Sequence, residues 1–374
     1  MTARVEAKAT RPAVASLLKL ATPLLLLVAV LLAPTPTGLT PEGKRVLAVV
    51  ALAVVLWATE ALPMAITGLL AVVLLVLLRG VPTLDLALSG FANPVPYFLL
   101  GILTLGLAVH RSGLAERLAR FFIARARSSP RALYGQLLAS MVVLTLFLPS
   151  ASTRNAIQVH VYEQALWQVP RGHPLARAVM LALGALNRLA STALLTGGVT
   201  PVAAAALIAA NLPEARSTLS WGQWFVLMSV PYYTLLAIGG LLVYLMYRPG
   251  FALRPPTVEV GGAPRPAGAE VKAAAIAVLT ALLWFTDWLH GLPAAVPALL
   301  ALVLLLMPRV GVLAWKEFER DVGWSSFFVL ATSLSVAPAM VSSGVAAGLA
   351  GGRVGVLGGG AASPSPRRRT AWAP

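Results

Sequence analysis

What most constrains this chain is a series of long apolar runs containing no Asp, Glu, Lys or Arg, at residues 20–33, 95–109, 222–247 and 322–352. A helix needs roughly 20 apolar residues to cross about 30 Å of hydrocarbon, and the last two runs exceed that. A soluble domain cannot solvate a chain that is 58% hydrophobic and only 11% charged over 374 residues. The expected fold is therefore all-α and polytopic, with the lipid bilayer as its solvent.

The formal charge of +16 does not point to nucleic acid, because the basic residues fall between apolar spans and not across one folded polar face. Arg111, Arg117, Arg120, Arg125, Arg127 and Arg131 form one cluster, and Arg248, Arg254, Arg265 and Lys272 form another. This is the bias of cytoplasmic loops, and it places a multi-pass chain in the inner (plasma) membrane with its N-terminus in the cytoplasm. There is no Cys, which excludes disulfides and thiolate metal sites, and the four His show no ligand spacing. The basic start and apolar run of residues 1–33 resemble a signal peptide, but no small-x-small cleavage site follows, so an uncleaved first helix is expected.

Five segments are expected along the chain. Residues 1–45 hold the first helix and an outer loop, 46–247 a first transporter-like repeat, and 248–272 a cytoplasmic linker rich in Pro and Gly. Residues 273–350 hold a partial second repeat, and 351–374 an aberrant or disordered tail. Within the first repeat, the apolar stretch 46–78 is too long for one span and divides at Glu60 and Pro63. Residues 114–127 have the apolar spacing of an amphipathic surface helix. Residues 132–170 are apolar at both ends, polar in the middle and flanked by basic residues on both sides, so they should enter and leave on the same face as a re-entrant hairpin. Residues 178–210 read as a broken helix.

After the linker the pattern starts again. Trp57, Thr59, Glu60 and Pro63 have counterparts in Trp284, Thr286, Asp287 and Pro293, and the octet SGLAERLA from Ser112 returns as SGVAAGLA from Ser343. The copies begin on opposite sides of the membrane, which predicts inverted repeats with broken helices. The second copy is incomplete. Residues 351–374 are Gly, Ala, Pro, Ser and Arg without helical period, as expected of a frameshift or truncated gene beginning at or just after Ala350; a disordered tail is the alternative.

The candidate site lies where the helices break. Ser150, Ser152 and Thr153 offer hydroxyls at a turn that opens a helix, where free N–H groups favour an anion, although small hydroxyl residues also serve close helix packing. Thr196, Gly197, Gly198, Thr200 and Pro201 mark the broken helix, whose unwound carbonyls suit a sodium ion; a plain kink is the simpler reading. Arg154 has two readings, a bidentate contact to substrate or a snorkelling residue paired with Glu163. Glu60 and Asp287 invite a proton relay, but their place before prolines favours an interfacial structural role. His160 and Glu163 lack a third metal ligand.

At these residues the sequence resembles the divalent-anion/sodium symporter family, the permeases of dicarboxylates, citrate or sulfate. The stretches that carry the resemblance are WATEALPMAITGLL from Trp57, GFANPVPYFLLGILTLGLAVHRSGL from Gly90, LPSASTRNA from Leu148, ALLTGGVTPVAAAALI from Ala193 and WFTDWLHGLPAAVPALLALVLL from Trp284. The resemblance implies a scaffold and a transport core, two hairpins whose tips meet at the midplane, sodium held near Ser150, Gly197 and Gly198, and a homodimer. Ala151 stands where the family usually has Asn, and Gly197 to Pro201 depart from the usual Gly-Thr-x-Pro-Asn string, which bears on both sodium coupling and substrate class.

The function expected is secondary active transport of a small anion, coupled to sodium, by alternating access. No other cofactor and no nucleic-acid partner is expected. The alternatives are an inactive membrane-inserted fragment of such a carrier and an intramembrane enzyme, and the enzyme lacks any paired nucleophile and base.

Overall fold

The structure is a computed structural model that describes residues 10–35, 39–126, 129–148, 150–170, 172–211, 220–252, 268–346 and 348. Pro149 at the hairpin tip, most of the linker, and the tail with its expected frameshift lie outside the described residues. Every regular element among the described residues is helical. Five helices there are long and apolar enough to cross a bilayer: Pro94–Arg111, Pro130–Phe147, Trp221–Met246, Gly268–Phe285 and Trp324–Ser342. The chain is an all-α polytopic membrane protein.

Local chemistry sets the helix limits. The first helix, α1, is Thr10–Leu32. α2 (Pro41–Thr59) starts where Thr40 accepts the Gly43 N–H, and it ends at Glu60, whose φ of 49° is left-handed. Pro63 then caps α3 (Met64–Leu77), and the Trp57 indole donates to the Met64 carbonyl across the break at 3.1 Å. The short α4 (Leu84–Ala87) follows. α5 (Pro94–Arg111) opens with Asn93 as cap and Pro94 in the first turn, and α6 (Leu114–Arg125) follows the left-handed Gly113. α7 (Pro130–Phe147), α8 (Ala151–Ala165) and α9 (Pro174–Thr192) are capped by Ser129, Ser150 and His173. α10 (Val199–Asn211) continues past the break, and α11 (Trp221–Met246) starts in a Ser220/Gln223 capping box. After α11 come α12 (Gly268–Phe285), α13 (Asp287–His290), α14 (Ala295–Leu306), α15 (Trp315–Asp321) and α16 (Trp324–Ser342).

Segments that resemble each other in sequence also share local contacts. Trp284 donates to the Ala294 carbonyl at 3.1 Å, as Trp57 does to Met64. Arg79 and Arg309 both have positive φ, and so do Gly113 and Gly344. The Arg79 carbonyl accepts from Arg45, and the Arg309 carbonyl accepts from Lys272 at 2.6 Å. Ser112 and Gly113 donate to the carbonyls of Ala108 and His110, while Ser343 and Gly344 donate to those of Ala339 and Val341.

The chain forms two compact units, residues 1–90 with 335–374, and residues 91–334. In the larger unit α5 packs on α14 so closely that a Cβ at Gly101 would lie 2.5 Å from the Ala298 carbonyl oxygen. Small residues permit such crossings in membranes, where backbone approach replaces hydrophobic drive. Gly101→Ala is therefore expected to destabilise the protein by about 1–3 kcal/mol, read as a lower melting temperature in detergent; an unchanged melting temperature would show that the crossing gives way freely. Trp284 is buried in the same unit, stacked on Trp221 and edge-on to Phe98.

Ion pairs gather at one end of this unit. Arg117 Nε meets Glu270 Oε2 at 2.6 Å, and Arg111 pairs with Asp321. Arg320 also hydrogen-bonds Asp321 and, with help from Arg111, holds its carboxyl near about 2, well below the usual carboxylate range. From that pair the chain runs back along α5: a Cβ at Gly323 would touch Leu103, and the Phe327 ring meets Tyr97 at 5.5 Å. α5 and the start of α16 are thus antiparallel. In the smaller unit the first turn of α2 meets the carbonyl of Ser343, the counterpart of Ser112. In the larger unit the Glu270 carboxylate at the start of α12 lies against the Gly113 turn in the same way.

Candidate functional site

α7 and α8 form the expected hairpin, and the polar turn between them is fixed by Ser150. Its hydroxyl oxygen accepts the Thr153 N–H at 3.2 Å, so α8 begins at Ala151. The first N–H groups of α8 then have no intrahelical partner. The break between α9 and α10 is a single 3₁₀ turn, Leu195–Gly197, followed by extended Gly198. A Cβ at Gly197 would overlap the Ser191 carbonyl oxygen, so the turn is closed by backbone packing and admits only glycine.

Arg154 joins the two breaks. It is completely buried. Nη1 donates to the Leu148 carbonyl just before the tip and, at 3.4 Å, to the Gly197 carbonyl in the broken helix. Nε donates to Asn187 Oδ1 at 3.2 Å, and Nη2 donates to Ser191 Oγ. The guanidinium neither snorkels to the surface nor pairs with Glu163, which corrects one of its two sequence readings. It also has no free edge for a bidentate contact to substrate.

Asn187 and Ser191 were missing from the site read in the sequence. Asn187 Nδ2 donates to the Ala151 carbonyl at 3.1 Å and to Asn155 Oδ1 at 2.7 Å, fastening α9 to the hairpin tip. The signal was present: Asn187 and Ser191 lie four residues apart and so share one face of α9.

The remaining candidates divide. Ser152 is exposed and Thr153 half-buried on the tip. Thr196 is buried and accepts from the Trp221 indole at 3.4 Å. Thr200 is exposed in the first turn of α10, and Pro201 is buried behind it. Two helix N-termini, those of α8 and α10, thus open beside the junction that Arg154 holds, an arrangement suited to an anion.

The acidic residues have structural places. Asp287 accepts the Gly222 N–H at 2.8 Å and so caps α11, and Glu60 is exposed at the end of α2. His160 shares a hydrogen bond with Gln164 at 3.1 Å.

The model of the sodium:sulfate symporter transmembrane region family matches residues 14–363. The chain belongs to that family. Among curated relatives, a putative malate transporter of Bacillus subtilis is 25% identical over 317 residues, covering 80% of this chain and 65% of its own length. The chloroplastic dicarboxylate transporter 1 of Arabidopsis thaliana is 27% identical over 334 residues, covering 81% and 56%. An L-tartrate/succinate antiporter of Shigella dysenteriae is 24% identical over 282 residues, covering 70% and 55%. The matches thus span between 55% and 65% of the length of these relatives. The family and these relatives are transporters, not enzymes.

Proposed function

We propose that this chain carries small dianions of the dicarboxylate or sulfate class across the membrane by alternating access, with the hairpin and broken helix as the moving substrate site. The observation that carries this reading is the junction at Arg154, where carbonyls of two interrupted membrane segments converge on one buried cation, in the stretches of chain from which α8 and α10 start. The names of the relatives, which handle malate, dicarboxylates, tartrate and succinate, support the substrate class.

The same proposal includes inverted repeats, a re-entrant hairpin, a cytoplasmic N-terminus, the plasma membrane as location, and a homodimer. The antiparallel run of residues 321–327 along α5 supports the inversion, because α16 is the counterpart of α5. The pairing of α5, α6, α12 and α15 through charges at one end supports the assignment of that end to the cytoplasm.

Sodium coupling, with the ion near Ser150, Gly197 and Gly198, is part of the proposal. One observation favours a second reading. The Gly197 carbonyl that would ligate sodium already accepts from Arg154, so the guanidinium stands as a tethered cation on the ligands a mobile ion would use. In that reading the carrier exchanges anions without sodium. Reconstituted protein with labelled succinate separates the two. Coupling to sodium predicts at least a tenfold fall in uptake when choline replaces sodium. The tethered cation predicts no change, and uptake only into vesicles preloaded with a dianion. If well-inserted protein neither binds nor exchanges succinate or sulfate under either condition, carriage itself is refuted and the inert-fragment reading replaces it.

A further inference from the structure

α9 carries a second arginine, one residue beyond Asn187, that the junction does not use. Arg188 is exposed, and its guanidinium has no ion-pair or hydrogen-bond partner among the described residues. Its depth is set by its neighbour: Asn187 reaches Ala151 and Asn155 in the first turn of α8, so Arg188 lies level with the hairpin tip. From Pro174 it is about 20 Å along the helix at roughly 1.5 Å per residue, well inside a hydrocarbon layer about 30 Å thick.

The face around it is open and bare. Leu181, Gly184, Ala185 and Arg188 follow i, i+3, i+4, i+7 spacing and are all exposed, and a Cβ at Gly184 would meet nothing within 4 Å. Lipid-facing helices look different. α11 presents Val226, Val230, Leu241 and Leu245 outward, with between 51% and 70% exposure. α9 presents one leucine, then glycine, alanine and a charge, and the adjoining α8 leaves Ser152, His160, Glu163 and Gln164 exposed. An ionisable residue at this depth faces a water-filled cavity or a paired group and not lipid, and here no paired group is present among the described residues.

We propose that the exposed stripe of α9 walls a water-filled path to the hairpin tip, and that Arg188 is the residue that selects anions in it. The proposal deepens the transport reading and rests on it for the identity of the site at the end of the path. A lone guanidinium with a free planar edge takes one carboxylate or sulfate group, while the helix N-termini at the tip take the other charge of a dianion. Arg154 and Arg188 thus divide the work: the first braces the backbone, and the second meets the solute.

Because the chain has no cysteine, Ala185→Cys, one helical turn from Arg188, is a clean reporter, with Gly184→Cys as a second if the first is poorly expressed. Labelling rates are measured in membranes with an anionic and a cationic methanethiosulfonate of similar size, alone and combined with Arg188→Gln or Arg188→Lys. The expected result is labelling by both reagents, an anionic-to-cationic rate ratio that falls by about tenfold with Arg188→Gln, and retention of the ratio with Arg188→Lys. The proposal is overturned if neither reporter reacts, which means lipid or another protein surface covers the face, or if the ratio is indifferent to Arg188→Gln. These rates need no transported substrate. A chain that fails to exchange succinate yet shows the Arg188-dependent ratio removes the transport reading and leaves this one standing.

Discussion

Replacing Arg154 with methionine is expected to lower stability by about 3–5 kcal/mol and to abolish anion exchange. The side chain is fully buried and donates to Leu148, Asn187, Ser191 and Gly197. Methionine fills most of the volume but strands two buried carbonyls and an amide oxygen, while the Ser191 hydroxyl keeps its bond to the Asn187 carbonyl at 3.0 Å. Each stranded group forfeits about 1–3 kcal/mol where no water replaces the donor, which is how the larger figure arises. Arg154→Lys should recover only part of the loss, because a single ammonium cannot span acceptors on both interrupted segments as a planar fork does. Thermal unfolding in detergent, read beside succinate counterflow, checks both statements. A methionine variant that melts with the wild type would mean that the junction is not held by this residue.

Gly197→Ala is expected to be the other severe substitution, with a stability loss of about 3 kcal/mol and at least a tenfold loss of exchange in protein that still inserts. The added methyl would overlap the Ser191 carbonyl oxygen, and it would lie 2.6 Å from the Ser191 carbonyl carbon and 2.9 Å from its Cα. No side-chain rotation relieves a backbone overlap, so the 3₁₀ turn must open. Opening moves the Gly197 carbonyl away from Arg154 and displaces the start of α10. Misplacement of about 1 Å at a site can cost two orders of magnitude in rate. Gly184→Ala in the preceding helix, α9, is the control: its Cβ meets nothing, and alanine there should gain about 0.5–1 kcal/mol through helix propensity. If Gly197→Ala and Gly184→Ala behave alike, close packing at the break is not what fixes the site.

The membrane helices were legible because their signals are local. Charge-free runs marked α5, α11 and α16. Glu60 with Pro63 marked the break between α2 and α3, and the caps Asn93, Ser129, Ser150 and Ser220 lie directly before the helices they start. The likeness between the two stretches was legible for the same reason, since Trp57 and Trp284 make the same short-range contact and Gly113 and Gly344 share a positive φ. Even the hairpin tip and the Gly197–Gly198 break could be placed, because polar and glycine residues inside apolar segments interrupt helices wherever they occur.

What the sequence by itself determined is the charge-free membrane helices and the places where helices break, which follow from hydropathy, capping and backbone freedom over a few residues. Only the tertiary structure decided what the two arginines do. Arg154 lies in the polar tip SASTRNA and Arg188 in the more apolar run LALGALNRLA, yet the sequence pattern alone predicts the opposite of what is seen: the arginine in the polar stretch is the buried one and the arginine in the apolar stretch is exposed. The difference arises because the hairpin folds against the broken helix, so that Leu148 and Gly197, far apart in sequence, offer their carbonyls to one guanidinium. Arg188, one position around α9 from Asn187, is turned away by about 100° of helical rotation and left to the open face.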